Sequence, residues 1–315
     1  MDEKPTVSIV INNYNYEDFL CEAIDSSLGQ TYSRKEVIVV DDGSTDNSRE
    51  IITSYGDQII SVSKENGGQA SAFNAGFIAS KGEIICFLDS DDYYISQKVS
   101  QIVELFLENP NVGWVFHELD DVDSNGRPLK LGRNHSVSEF LLVDYREKML
   151  KGHNLTWFPA TSGLCFKRDL LLKVLPMPEQ ILISADNFLR LASVYSSPGI
   201  LSPEKLAVHR IHGANLYEFR ADTDSIDAEG NIKTSYYLRQ RFPETKIFTN
   251  RLYSHSVGRI AGKISWSRVF QISESRKYMK NYLSGGAWVT NGARMLYNYI
   301  KVILADLSLK LSPRS

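Results

Sequence analysis

The stretch Ile84-Ile85-Cys86-Phe87-Leu88-Asp89-Ser90-Asp91-Asp92-Tyr93-Tyr94 decides how the rest of the chain is understood. Five apolar residues run without a break, and then carboxylates arrive at 89, 91 and 92. An unbroken apolar run of this length predicts a strand buried on both faces, as in a parallel sheet. The acids then stand where the strand leaves the sheet, the end at which open α/β sheets bind ligands. Clustered carboxylates repel one another and raise each other's pKa unless a cation sits among them. Hard oxygen ligands suit Mg²⁺ or Mn²⁺, and Mg²⁺ is commonly held by one or two carboxylates plus substrate phosphates. A plainer alternative stays open at this point: Asp91 and Asp92 precede a helical pattern and suit an acidic N-cap.

Working outward, the same alternation recurs. Residues 6–12 (TVSIVIN) and 36–40 (EVIVV) predict strands, and 58–62 a third. Helical spacing follows each of them, over 16–28, 45–55 and 70–79, and again over 96–107 after the acids. Gly29, Gly56 and Gly82 stop the first three helices. Val112 to Phe116 completes the series. Strands and helices alternating over short connections predict a parallel sheet with right-handed crossovers. No GxGxxG follows the first strand and no GxxxxGK[ST] occurs, so neither a dehydrogenase-type dinucleotide site nor a P-loop is expected.

After residue 117 the alternation breaks. Asn125-Gly126 signals a hairpin turn, and helical spacing returns over 138–150. Leu164-Cys165-Phe166 is strand-like, 169–174 helical, Ala185-Asp186 opens a helix to 195, and 205–208 is strand-like. Residues 222–230 are acidic and polar, expected to be mobile, and everything beyond 233 reads as helix.

The chain has 315 residues, 43% hydrophobic and 23% charged, the balance of a soluble globular protein of one large or two modest domains. No window reaches the roughly eighteen apolar residues of a spanning helix. The acidic start, Met1-Asp2-Glu3-Lys4-Pro5, runs straight into a strand, unlike a signal peptide. Cys21, Cys86 and Cys165 lie in apolar patterns without CxxC spacing and are expected as reduced, buried hydrophobes, which suits a cytoplasmic protein. Residues 251–315 hold eleven Lys/Arg against two acids, a net +9, which leaves −12 of the overall −3 to the first 250 residues. So uneven a split predicts different partners for the two parts.

Four segments together resemble family 2 glycosyltransferases of the GT-A fold: Val7 to Asn15, Val39 to Asp46, Asn66-Gly67-Gly68-Gln69 with Asn74-Ala75-Gly76, and Phe87 to Asp92. The resemblance is strong over 6–117, looser to 220 and absent beyond. It implies a Rossmann-like, mostly parallel sheet flanked by helices. The catalytic domain would be 1–225, divided into a nucleotide-sugar half (1–117) and an acceptor half (118–225). Residues 226–315 would be a basic, mainly helical extension.

The resemblance also implies roles. The turn after the first strand, at Asn12 and Tyr14, and the second acid of the Asp41-Asp42-Gly43-Ser44 motif, Asp42, would contact the base of a nucleotide-sugar donor, of UDP or dTDP type. Gln69 and Ser90 would line the donor site. Asp89 would reach the ribose, and Asp91 with His212 would hold Mn²⁺ or Mg²⁺, with Arg210 a lesser phosphate contact. Asp186 would be the catalytic base of an inverting enzyme, although Ala185 stands where the family usually has an acid. A plain N-cap is the alternative for Asp186. Trp157 and Ser162 fall on the acceptor side, where a core role for Trp157 is an equal alternative.

Residues 288–311 place Val289, Ala293, Leu296, Ile300, Ile303, Leu304, Leu307 and Leu311 on one helical stripe, with Arg294, Lys301 and Lys310 off it. Such a stripe suits peripheral contact with the inner face of a cell membrane, or packing on the catalytic domain or on a second copy through 251–315. Expected partners are therefore a nucleotide-sugar and a glycan or lipid-linked acceptor in cell-surface assembly, with no nucleic acid. Two other activities fit parts of the pattern: a phosphatase of the haloacid dehalogenase type, which also puts Asp-x-Asp after an apolar strand, and a non-catalytic nucleotide-binding relative. The phosphatase pattern wants Thr or Val two residues beyond the second Asp, where this chain has Tyr93.

Overall fold

A computed structural model describes residues 4–129, 137–155, 158–213, 215 and 222–311, with backbone only from 306. The chain divides into two compact units, Met1–Arg146 with Leu155–Asn215, and Glu147–Asn154 with Leu216–Ser315. Residues 147–154 group with the second unit.

The first unit is built on one sheet. In chain order its elements are β1 (Val7–Asn13), α1 (Glu17–Leu28), β2 (Lys35–Asp41), α2 (Ser48–Ser54), β3 (Ile60–Ser63), α3 (Gln69–Ala79), β4 (Ile84–Asp89), β5 (Tyr93–Tyr94), α4 (Lys98–Glu108), β6 (Trp114–Asp123) and β7 (Leu141–Val143). A short helix α5 (Arg146–Leu150) starts at the division. Then come β8 (Leu164–Lys167), α6 (Arg168–Val174), α7 (Ala185–Ser196) and β9 (Gly199–Ile211). Strand order is β3-β2-β1-β4-β8-β6-β9-β5, with β7 on β9. The pairs β3–β2, β2–β1 and β1–β4 are parallel; β4–β8 and β8–β6 are antiparallel.

Parallel strands flanked by helices lose both faces to the core, which is why their sequences are unbroken apolar runs. Ile9, Val10, Ile11, Val39, Val40 and Phe87 are all fully buried. Register matters more for the site than strand count. Asn12 lies opposite both Val40 and Asp89, and Asn13 opposite Asp41. Three strands therefore end level, and the polar residue closing each one is delivered to the same edge of the sheet.

The helix expected over 138–150 is instead β7 followed by α5. Leu141 and Val143 pair antiparallel with Leu201 and Gly199, so sheet pairing overrides the helical spacing. Asp144 accepts from the Arg146 N–H at 3.1 Å and opens the shortened helix. The strand expected over 205–208 extends across Gly199–Ile211. Cys86 and Cys165 are buried, as expected, but Cys21 is exposed on α1.

The second unit is all helix: α8 (Thr223–Arg241), α9 (Lys246–Lys263), α10 (Trp266–Gln271), α11 (Ser273–Tyr282) and α12 (Gly286–Leu311). Residues 222–230 thus begin α8 rather than forming a mobile loop. Ala228 and Ile232 are fully buried in the helical core with Tyr253, Val257 and Tyr278. The acids of that stretch take cations from neighbouring helices, Asp224 from Arg259 (2.6 Å) and Glu229 from Arg268 (2.7 Å). No helix among the described residues is long and apolar enough to cross a membrane.

Candidate active site

The edge where β1, β2 and β4 end together carries the candidate site. Asn12 Nδ2 donates to Asp89 Oδ1 at 2.7 Å, tying neighbouring strand ends through the register described above. Asp42, just past β2, is buried. Its Oδ1 accepts from Lys64 Nζ (2.5 Å) and the Gly67 N–H (3.0 Å), and its Oδ2 from the Gly68 N–H (2.7 Å). Asp42 thus closes the Asn66-Gly67-Gly68 loop onto the sheet. Gly43 is required beneath it: its φ is +78°, and a Cβ there would meet the Asn66 nitrogen at 2.6 Å. Tyr14 stands half-buried at the exit of β1.

The turn after β4 is braced from behind. Ser162, in the 3₁₀ turn Thr161–Gly163, is fully buried; its hydroxyl accepts from the Asp89 N–H (3.2 Å) and donates to Asp92 Oδ2 (2.5 Å). Asp92 Oδ1 accepts from the Arg210 N–H of β9 at 2.8 Å. Ser162 therefore supports the acidic turn and offers no surface to an acceptor, contrary to the sequence expectation. Arg210 is buried, its Nε donates to the Asp91 carbonyl at 3.1 Å, and its guanidinium pairs with Glu22 while lying over the rings of Phe19 and Tyr93. It braces α1, the acidic turn and β9.

Two groups from the end of β9 converge on Asp91. His212 Nε2 lies 3.2 Å from Asp91 Oδ2, and Asn215 Nδ2 donates to the same oxygen at 3.0 Å. The imidazole is wedged against Phe19 (centroids 4.5 Å apart) and edge-on to Tyr16 (5.6 Å). His209, three residues earlier, points instead to Asp121 at 2.9 Å.

A third wall comes from α7. Asp186 lies in its first turn and pairs with Arg190, one turn on, at 3.1 Å. Arg190 is itself held by the Pro159 carbonyl at 2.7 Å. Gln69, at the start of α3, accepts from the Ala185 N–H (2.9 Å) through Oε1 and donates to Thr161 Oγ1 (3.4 Å) through Nε2. Its amide links α7 to the 3₁₀ turn. Ser184, the residue before α7, holds a left-handed conformation with φ +55°, strained for a non-glycine residue. Trp157 lies outside the described residues.

Electrostatics single out the same spot. Burial pushes the Asp89 carboxyl up to about 8, with Asp91, Asp92 and Asp186 adding repulsion. Burial, reinforced by Asp91, pushes Asp92 up to about 7. Acids so crowded call for a cation. The Asp91 oxygen is a hard donor and the His212 nitrogen a borderline one, a pair that could hold a divalent cation such as Mn²⁺. Among the described residues no group of three or more His, Cys, Asp or Glu is placed to cage a metal by itself. Among the described residues, three buried side-chain oxygens at this edge have no partner, Asn12 Oδ1, Asn13 Oδ1 and Ser90 Oγ. Buried polar atoms are normally satisfied, so these are groups with bonding capacity left for a bound molecule.

The chain matches the family described as glycosyl transferase family 2 over residues 8–175, and it belongs to that family. It is 40% identical over 224 residues to an uncharacterised glycosyltransferase of Nostoc sp., spanning 70% of this chain and 69% of the relative. A chondroitin synthase of Pasteurella multocida is 38% identical over 133 residues, 41% of this chain and 14% of that protein. By structure the chain is similar to S. aureus TarS 1-349 in complex with UDP-GlcNAc, with a TM-score of 0.66 at 16% identity, covering 96% of this chain and 92% of that one. The fold is accordingly GT-A-like with a helical C-terminal region, and the protein is a glycosyltransferase. The phosphatase and non-catalytic alternatives fall with that assignment.

Sequence reasoning missed three contributors. Asn215 lies in the same His-Gly-Ala-Asn phrase as His212, and that spacing was its only signal. Arg190 was detectable as a cation four residues after Asp186 on one helix face. The bracing role of Ser162 had no sequence signal at all, because it depends on a pairing across 70 residues.

Proposed function

We propose that the protein transfers a sugar, with inversion, from a UDP- or dTDP-type nucleotide-sugar to an acceptor hydroxyl in the assembly of a cell-surface polysaccharide or glycolipid. The convergence of Asp91, His212 and Asn215 at the level strand ends carries this proposal, with the charge of Asp186 close enough to act on Asp89. A solved TarS complex with UDP-GlcNAc on a similar fold supports the donor class. Relatives named chondroitin synthase and hyaluronan synthase support the acceptor class.

In this scheme Asn12, Tyr14 and Asp42 surround the base, and the unpartnered Asn12 Oδ1 accepts from an imide N–H of uracil or thymine type. Asp89 takes the ribose and Ser90 Oγ lies beside the diphosphate. Asp91 and His212 hold Mn²⁺ or Mg²⁺, which supplies Lewis acidity to the departing nucleotide diphosphate. Asp186 removes the acceptor proton, and Arg190 fixes its rotamer by engaging Oδ2 so that Oδ1 faces the acceptor.

Thermal shift with UDP, dTDP and GDP, each with and without Mn²⁺, tests the proposal, because a ligand that binds only the folded state raises its melting temperature. A metal-dependent rise with UDP or dTDP is expected, and it should vanish in Asp91→Asn. The absence of a metal-dependent shift with any nucleotide would sink the proposal.

A further inference from the structure

We propose that the helical unit docks on an anionic lipid surface through the outward face of α12. Helix α12 is 26 residues long and has two apolar sides. One side is occupied. Asn291 and Met295 are buried, and the helix lies so close to α9 that a Cβ on Gly258 would sit 2.7 Å from the Met295 carbonyl and one on Gly262 2.8 Å from Val302. Residues 291, 295, 298 and 302 form that inner stripe at helical spacing.

The opposite side is open. Val289, Leu296, Tyr297, Ile300 and Leu304 are between 46% and 76% exposed, and exposed Trp288 borders them. Those five follow one another at spacings of seven, one, three and four residues and so share a face. Trp266 of α10 is also exposed, its ring 5.9 Å from that of Tyr299, which packs against the helical core. Single exposed apolar residues are ordinary; a contiguous face of this kind marks an interaction surface.

Charge chooses the occupant. Residues 251–315 carry a net +9 with only two acids, and one of these, Glu274, is buried beneath Tyr237. Arg276, Lys277, Lys280 and Lys301 are exposed, and no acid pairs with them among the described residues. A second copy docking on this unit would bring together two segments of the same net +9, which like-charge repulsion opposes. An anionic bilayer complements them. Trp and Tyr bordering an aliphatic stripe suit the level of the headgroups. Since no described helix can span a membrane, α12 would lie in the plane of the interface.

The test uses the 315-residue chain with vesicles of phosphatidylcholine, alone or with phosphatidylglycerol added, read by co-sedimentation. Retention is expected on the anionic vesicles only, declining as salt is raised. The triple variant Leu296→Ser, Ile300→Ser, Leu304→Ser should weaken retention at least roughly tenfold, since it removes the apolar insertion. All three side chains are exposed, so circular dichroism and melting should match the parent. The charge-reversed Arg276→Glu, Lys277→Glu, Lys280→Glu should also lose retention at low salt, with the apolar face intact. Equal retention on both vesicle types, no retention, or retention unchanged by both variants would overturn the proposal. So would self-association in solution that the triple variant abolishes without any vesicle binding, because the face would then join two copies.

Discussion

The two halves of the candidate site are built on opposite principles. Strands β1, β2 and β4 form a parallel block, and each places motif residues at the same sheet edge because register aligns Asn12 with Asp89 and Asn13 with Asp41. The other half comes from β8, α7 and β9, where pairing is mixed. It supplies Ser162, Asp186, His212 and Asn215 from segments far apart in sequence. In the first half, position follows from strand periodicity. In the second it follows from long-range hydrogen bonds, such as Ser162 to Asp92 and Gln69 to the backbone of α7. The difference predicts that donor binding and acceptor activation can be broken separately.

Removing the acid of the parallel half should have the largest effect. If Asp91 holds the metal as proposed, Asp91→Asn should reduce transfer by roughly 10³-fold or more, with loss of metal-dependent nucleotide binding. Asp186→Asn, in the other half, should reduce transfer by about 10²- to 10⁴-fold while nucleotide binding with Mn²⁺ stays intact. Titration calorimetry with UDP beside a transfer assay separates the two. If Asp186→Asn lost nucleotide binding as completely as Asp91→Asn, the division of labour between the halves would be wrong.

How much of this was legible follows the same line. The parallel block was readable because a doubly buried strand must be an apolar run, and the acid ending it stands out in sequence. The β4 stretch gave both its place in the sheet and its candidate ligands. Where strands pair antiparallel, or extend by long-range pairing as β9 does, the local pattern is weak. Residues 138–150 have helical spacing but fold partly as a strand on β9. Ser162 and Arg210 looked like surface polar groups able to reach a substrate, yet both are buried and engaged by partners 70 and 188 residues away in sequence. Periodicity contains nothing about such pairings, whereas Asp186 and His212 were placed by motif order. The start of α8 misled for a related reason: its acids are polar in sequence but paired in the fold.

Ser162→Ala probes the bracing directly. It deletes the donor to buried Asp92 and the acceptor for the Asp89 N–H, so the acidic turn loses its support. Leaving those groups unsatisfied should cost about 1–3 kcal/mol of stability. The fall in transfer should track weaker metal-dependent UDP binding rather than any change specific to the acceptor. Denaturant melts with donor and acceptor saturation curves check this. A variant of parental stability with a raised KM for acceptor alone would restore Ser162 to the acceptor side.

The smallest effect concerns His117, on β6 between β8 and β9 in the mixed half. Its ring is buried, with Nδ1–H donating to the Glu118 carbonyl at 2.9 Å and Nε2 lacking a partner among the described residues. Burial, with the nearby Lys98 charge, holds its pKa well below the usual 6.5. In the unfolded chain the imidazole takes up a proton near that ordinary value, while the folded chain refuses it. Below it the unfolded state therefore binds more protons, and stability must fall as pH falls. The loss attributable to this one group should be about 1 kcal/mol between roughly pH 6.5 and 5.5. His117→Gln keeps a side-chain N–H donor but cannot titrate. Urea melts across that window should show a shallower loss for the variant than for the parent. Identical slopes would mean that the imidazole is already protonated in the fold, and that the mixed half of the sheet is wetter at this point than its packing indicates.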